Sequence, residues 1–177
     1  AEVEFKYTTS ATIIPDPETV TDWDNERTFR VTSYNGDARE YAYKVVKSEI
    51  ESDGDVELKT TEEVASFAAT KTTVVKGNLI IGSDAEEAEK ITDISALASL
   101  KEVTGNIVIR NSYNGADLTG LENIVSAGGL QVGSADVASK ATELHMISMK
   151  ALETLSGDIS VYNDQVTYVL FEKLATI

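Results

Sequence analysis

From residue 54 onward, short apolar-x-apolar runs recur along the chain, each led by a glycine: GDVEL at Gly54, GNLII at Gly77, GNIVI at Gly105, GGLQV at Gly128 and GDISV at Gly157. The intervals are 23, 28, 23 and 29 residues, a period typical of stacked coils that each contribute one short strand. Alternation within each run turns Val56 and Leu58, Leu79 and Ile81, Ile107 and Ile109, Leu130 and Val132, and Ile159 and Val161 inward as two apolar columns. The segments ahead of the glycines repeat too. Leu97, Leu100 and Val103 lie eight, five and two residues before Gly105, and Met149, Leu152 and Leu155 hold the same offsets before Gly157. Leu118, Leu121 and Ile124 keep the three-residue spacing but slip out of that register, which predicts a shift or bulge in their coil. Phe171, Leu174 and Ile177 show the spacing again, so a further glycine is expected two residues beyond Ile177; an interrupted coil and a cap are both compatible with this. These segments have helix or turn spacing and are expected to close each coil opposite a parallel sheet.

Other local signals fit the same frame. Thr60 stands three residues before Glu63, a capping-box spacing, and Val64, Phe67 and Ala68 then make one apolar stripe, predicting a short helix that shields the first coil. Each leading glycine is expected either to avoid crowding the neighbouring coil or to adopt positive φ. Asn78 and Asn106 are placed to form an amide ladder between coils, with Asp55, Gly129 and Asp158 interrupting it. Residues 49–54, EIESDG, read as a polar linker or the lip of a second domain.

The first 48 residues follow a period of two. Phe5, Tyr7, Ala11, Ile13 and Ile14 have strand-like spacing before Pro15 and Pro17. Phe29 and Val31, then Tyr41, Tyr43 and Val45, form alternating segments around Asn35-Gly36, predicting a β-hairpin with both central residues at positive φ. About four strands of ordinary length fit in this stretch. The expected division is a β module over 1–48 and a coil array over 54–177.

Composition narrows the function classes. The 30 acidic residues against 15 basic ones give a formal charge of −15, which repels phosphate backbones and anionic membrane surfaces and argues against a nucleic-acid partner. With no cysteine there is no disulfide, no thiolate nucleophile and no cysteine-ligated zinc. The chain opens at Ala1 without methionine, signal segment or membrane-length apolar run, which reads as a processed or trimmed chain with no membrane insertion by this segment.

Two resemblances sit on these residues. SATIIP followed by DWDNERTFRVTSYNGDAREYAYKVV resembles the small immunoglobulin-like or cadherin-like modules of bacterial surface proteins. ELKTTEEVASFAATKTTVVKGNLIIG, ITDISALASLKEVTGNIVIR and LTGLENIVSAGGLQVG are similar to the receptor L domain family, leucine-rich-repeat relatives found in growth-factor receptor ectodomains and bacterial surface proteins. The flanking cysteine-rich modules of the receptor examples are absent, so a growth-factor-like role is not implied. Together the resemblances imply a mainly β protein, with a small β-sandwich-like module followed by a right-handed parallel β solenoid with a short capping helix. They also imply a bacterial cell-surface or outer-membrane location with a possible lipid anchor upstream.

Candidate chemistry is sparse. His145, between Leu144 and Met146, is the sole histidine; it is read as a coil-surface side chain rather than a general base working with Glu143 or Asp164. No nucleophile elbow, phosphate-binding loop or HExxH pair is present. Asp22, Asp24, Asn25 and Glu26 supply oxygen ligands, but without an EF-hand's glycine and terminal glutamate, so a turn beside a buried Trp23 is the simpler account than calcium. Asp84, Glu86, Glu87 and Glu89 fill an insertion and read as a solvated loop. No catalytic residue, cofactor or metal is expected. The outward face of the sheet carries Ile80, Val108, Gln131 and Ser160 in one column and Arg110 and Tyr162 in the next. Ile80 and Val108 are expected as an exposed apolar pair, covered by the N-terminal module or by a partner. The candidate binding surface is therefore Ile80, Val108, Arg110, Tyr113, Gln131 and Tyr162, since solenoids offer open faces and arginine and tyrosine are enriched at hot spots. The expected function is non-catalytic recognition or adhesion toward a protein or glycan; the alternative is a structural spacer that presents a neighbouring domain.

Overall fold

The computed structural model describes residues 10–21, 26–44, 49–136 and 143–177. The chain divides into two compact units, 1–48 and 49–177. Phe5, Tyr7 and Val45, and the Asp22, Trp23, Asp24, Asn25 cluster, lie outside the described residues.

In the first unit, β1 (Thr12–Ile14), β2 (Arg27–Thr32) and β3 (Ala38–Tyr43) form an antiparallel sheet in the order β1-β2-β3. Ile13 pairs with Val31, and Phe29 pairs with Tyr41 and is buried. The predicted hairpin is present, but its turn differs. The ladder closes at Thr32 opposite Ala38, and Gly36 N donates to Ser33 O at 3.0 Å, so Tyr34 and Asn35 are the central turn residues. Gly36 follows them at φ +90°. A three-residue loop closed by one left-handed residue replaces the expected pair of positive φ values.

The second unit is built on β4 (Val56–Leu58), β5 (Val74–Val75), β6 (Leu79–Ile81), β7 (Glu102–Ile109), β8 (Ser126–Val132), β9 (Met146–Ser148), β10 (Thr154–Leu155), β11 (Ile159–Val161) and β12 (Tyr168–Leu170). The glycine-led runs pair in parallel in one continuous register, Val56 to Leu79 to Ile107 to Leu130 to Ile159. The inward residues of the three central strands are buried, while Val56 and Ile159 are half-buried. Val161 departs from the expected column: it is 37% exposed, because among the described residues β11 has a ladder partner on the β8 side only.

Crowding explains four of the five leading glycines, whereas Gly54, the first, has φ +142° with nothing within 4 Å of a Cβ. Gly77, Gly105, Gly128 and Gly157 all have ordinary φ. A Cβ on Gly105 would lie 2.7 Å from both the carbonyl carbon and oxygen of Gly77, and one on Gly128 would lie 2.6 Å from Gly105 O. The coils are stacked backbone on backbone at this row.

The polar column beside it starts one coil earlier than expected. Asp55 is part of the ladder: Asn78 donates from its backbone N at 2.7 Å and from Nδ2 at 3.2 Å to the Asp55 carboxylate, and Asn106 N then donates to Asn78 Oδ1 at 2.8 Å. These donors hold the Asp55 carboxyl below the ordinary aspartate range, the backbone amide of Asn78 contributing most. The depressed value means that this contact adds stability above the unfolded carboxyl range and loses it as pH falls through the folded value.

Two further parallel ladders, absent from the sequence reading, run beside the first. One joins Glu51, Val74, Glu102, Ser126, Thr154 and Thr176. The other pairs β12 with β9, and Ile91 bridges Tyr113 in the same parallel sense. Of the two readings of residues 49–53, the lip of the second domain holds and the linker does not: Ile50 O accepts from Thr73 N at 2.8 Å, and Ser52 N donates to Val74 O at 3.0 Å. The shift anticipated ahead of Gly128 is an irregularity between Val103 and Asn106, where Ala127 rather than the residue before it takes Val103 as partner.

Between the ladders sits one core. Leu97, Leu100, Val103, Leu118, Leu121, Ile124, Met149, Leu152 and Leu155 are all fully buried. Phe171 and Leu174 pack against it half-buried, whereas Ile177 is 78% exposed and breaks the pattern of its spacing. Helix α1 (Thr61–Ala69) carries the predicted capping box: Glu63 N donates to Thr60 Oγ1 at 3.1 Å and Thr60 N donates to Glu63 Oε2 at 3.2 Å. Val64 and Ala68 are its buried residues, and Phe67 packs half-buried on the core.

Candidate functional site

The alternation that sends Leu79, Ile107 and Leu130 inward sends the residues next to them outward. Glu57, Ile80, Val108, Gln131 and Ser160 stand side by side in consecutive strands. The ladder continues past the strands through Arg110 N to Ile81 O at 2.7 Å, Gly133 N to Ile109 O at 2.8 Å and Tyr162 N to Val132 O at 2.7 Å. Lys59, Gly82, Arg110, Gly133 and Tyr162 accordingly follow as a second outward row.

The structure gathers most, not all, of the expected surface on this face. Ile80 and Gln131 are half-buried, and Gln131 Nε2 donates to Gly133 O at 3.0 Å. Tyr162 is 46% exposed. Val108 points outward yet is only 8% exposed, since Ile80 and Gln131 flank it in the adjacent strands. The expected exposed apolar pair is therefore reduced to Ile80. Tyr113 leaves the surface altogether. It is 2% exposed in the core, its hydroxyl donates to Asp117 O, and burial pushes that hydroxyl's pKa well up.

Arg110 is a fixed charge of the face, which also carries the exposed Lys59–Glu57 ion pair. Its Nη1 lies 2.8 Å from Asp84 Oδ2, both side chains being partly buried, and Asp84 Oδ1 accepts from Asn111 N at 3.1 Å. One carboxylate thus holds the guanidinium and the turn that carries it. Asp84 belongs to the acidic insertion read as solvated, and it is not alone in having a partner there: Glu89 Oε1 accepts from Thr61 N at 2.9 Å at the start of α1, which holds its carboxyl below the usual range. Glu86 and Glu87 are exposed.

His145 lies at the surface with Nδ1 3.2 Å from Gln165 O, a backbone carbonyl. Among the described residues, no three or more His, Cys, Asp or Glu side chains are placed to hold a metal ion.

One set of residues, of which the sequence reading picked out only Thr60 as a cap, has a regular spacing. The sixth residue after each leading glycine is Thr60, Ser83, Asn111, Ser134 or Asn163. Four of them cap the turn that follows their strand. Thr60 does so in the capping box, Ser83 Oγ accepts from Ala85 N at 3.1 Å, Ser134 Oγ from Asp136 N at 3.3 Å, and Asn163 Oδ1 from Gln165 N at 2.8 Å. Asn111 is the exception: it is 4% exposed, and neither Oδ1 nor Nδ2 has a partner.

The stacked parallel rows and their leucine segments are matched by a family model, that of the receptor L domain, over residues 71–172, more than half of the chain. The chain belongs to the receptor L domain family. No curated protein and no solved structure matches it. The matched part of this receptor L domain runs from just after α1 through β12 and includes Ile80, Arg110, Asn111, Gln131 and Tyr162. Receptor L domains are ligand-binding and non-enzymatic. Among the described residues, no helix of this receptor L domain protein is long and apolar enough to cross a membrane.

Proposed function

We propose that the protein is a non-catalytic recognition or adhesion protein of a bacterial cell surface or outer membrane. On this reading it binds a protein or glycan through the outward face of a right-handed solenoid that follows an immunoglobulin-like module. The observation that carries the proposal is the 2.8 Å Arg110–Asp84 pair beside half-buried Ile80 and exposed Tyr162. A guanidinium already held by a carboxylate loses little freedom on binding, and an adjoining aliphatic and a phenol ring supply apolar area at low entropic cost. Export and a lipid anchor upstream belong to the proposal as well.

The test is a panel of glycans and proteins probed with the wild type and with Ile80→Ala, Arg110→Ala and Tyr162→Ala. Arg110→Ala is expected to weaken binding by about 30-fold, equivalent to about 2 kcal/mol, with circular dichroism unchanged. The absence of any ligand across the panel, or a ligand held equally well by all three variants, contradicts the reading and favours the spacer role.

A further inference from the structure

The third ladder is interrupted on one side of β9. Its register with β12 turns the backbone groups of His145, Ile147 and Met149 toward β12, with Tyr168 N donating to His145 O at 3.2 Å and Met149 N to Leu170 O at 3.1 Å. Met146 and Ser148 therefore direct theirs toward the preceding coil. Met146 N finds Ala116 O there at 3.3 Å, and contact resumes only where Ala151 N donates to Glu122 O at 3.2 Å. Between these points the chain turns away from β9. Leu121 N closes on Leu118 O at 3.0 Å, and Gly120, at φ +112°, lies so near the Ile94 carbonyl of the coil before that a Cβ would overlap it. Among the described residues, Met146 O and both backbone groups of Ser148 are left without a partner.

A cleft of about 240 Å³ occupies this gap, lined by Leu118 and Met146 and by the polar Asp117, Glu122, Ser148 and Lys150. An open strand edge is a template for one more strand. The space is smaller than the roughly 300–1,000 Å³ of pockets that enclose a whole ligand, so it suits a short length of chain that continues beyond it. Charge then selects the chain. Asp117 Oδ1 accepts from Thr119 N at 2.8 Å and Glu122 Oε2 accepts from Gly120 N, which holds both carboxylates and leaves, among the described residues, one oxygen of each uncommitted. Lys150 Nζ already faces Glu172 Oε1 at 4.0 Å. Two held carboxylates therefore meet the incoming chain, and the formal charge of −15 adds to the preference for a cation. We propose that the open edge of β9 is a strand-addition site for an extended segment of a partner protein, one that carries a lysine or arginine between uncharged residues. Backbone bonds to Met146 O and Ser148 supply the attachment, and the basic side chain between Asp117 and Glu122 supplies the selectivity.

The experiment titrates the 15N-labelled full chain with the acetylated and amidated peptides TVKVT and TVEVT, and with TVKVT N-methylated at both valines. In the free chain the Ser148 amide hydrogen is expected to exchange faster than that of Ile147. TVKVT is expected to shift the Ser148 amide resonance saturably and to slow its exchange, while TVEVT binds about tenfold more weakly and the N-methylated peptide does not bind. The double variant Asp117→Asn, Glu122→Gln, which keeps both turn acceptors, is expected to lose the preference for lysine with an unchanged melting temperature. A slowly exchanging Ser148 amide in the free chain, no shift with TVKVT, or equal affinity for any two of the peptides overturns the proposal. Lysinamide competing as well as TVKVT would make the cleft a simple cation site, and Ser148 protection that grows with protein concentration alone would make the occupant a second copy; either result also overturns it. Ile80→Ala and Arg110→Ala are expected to leave peptide binding unchanged, so this site and the outward face fail separately.

Discussion

Gly105→Ala is expected to lower the stability of the second unit by about 3 kcal/mol or more, the upper range for overpacking, read as a drop in the urea midpoint. Its backbone φ is ordinary, so conformational strain is not the cause. The added methyl would sit 2.7 Å from the carbonyl carbon and oxygen of Gly77, and these are backbone atoms fixed by the parallel ladder rather than the yielding tip of a side chain. Relief requires the two coils to separate, which stretches the Gly105 N to Gly77 O bond of 2.8 Å and loosens the columns on either side. Gly36→Ala is the control: that position has φ +90° but nothing within 4 Å, so its cost is limited to roughly 1–2 kcal/mol of left-handed strain in the first unit. A Gly105→Ala variant as stable as wild type would mean that the coils are not stacked at the spacing described.

Leu121→Ala comes next, with an expected loss of about 2–5 kcal/mol. Leu121 is fully buried in the segment that closes its coil, and its N donates to Leu118 O at 3.0 Å in a tight turn. Truncation leaves a cavity between turns that their own hydrogen bonds prevent from collapsing. Ile177→Ala, at the same type of three-residue spacing but exposed, is expected to change the urea midpoint hardly at all. Equal effects from the two substitutions would contradict the placement of the core.

The strands and their register were legible because glycine spacing and alternation act locally and repeat. Leu79, Ile107 and Leu130 align as their offsets from Gly77, Gly105 and Gly128 require. The second and third ladders were not legible, since β5 and β10 are only two residues long and β9 and β12, unlike the equally short β4, β6 and β11, have no leading glycine at a repeated offset. Alternation gave the direction in which Val108 points but not what its neighbours cover. Tyr113 lies beyond the strand, where a period of two no longer fixes orientation, and its ring went to the core. Asp84 and Glu89 looked solvated because their partners lie 26 and 28 residues away, a separation that only the stacking of coils closes. The hairpin turn was misplaced by one residue because its type follows from where Thr32 pairs with Ala38, not from the Asn-Gly dipeptide alone. The sixth-position caps Thr60, Ser83, Ser134 and Asn163 were readable in principle, since a fixed offset from each glycine was the signal, one that Asn111 shares without capping.

The central claim is that one continuous parallel register puts Ile80, Val108 and Gln131 side by side on the outward face, with Arg110 held at its edge by Asp84. Backbone nuclear Overhauser contacts across β6, β7 and β8 test it most directly. The account predicts Ile80 opposite Val108 and Val108 opposite Gln131, with Asp84 contacts to the Arg110 side chain. A slip of one residue would turn Leu79 and Ile107 outward, and contacts showing Val108 opposite Leu79 or Ile81 would contradict both the fold and the face built on it.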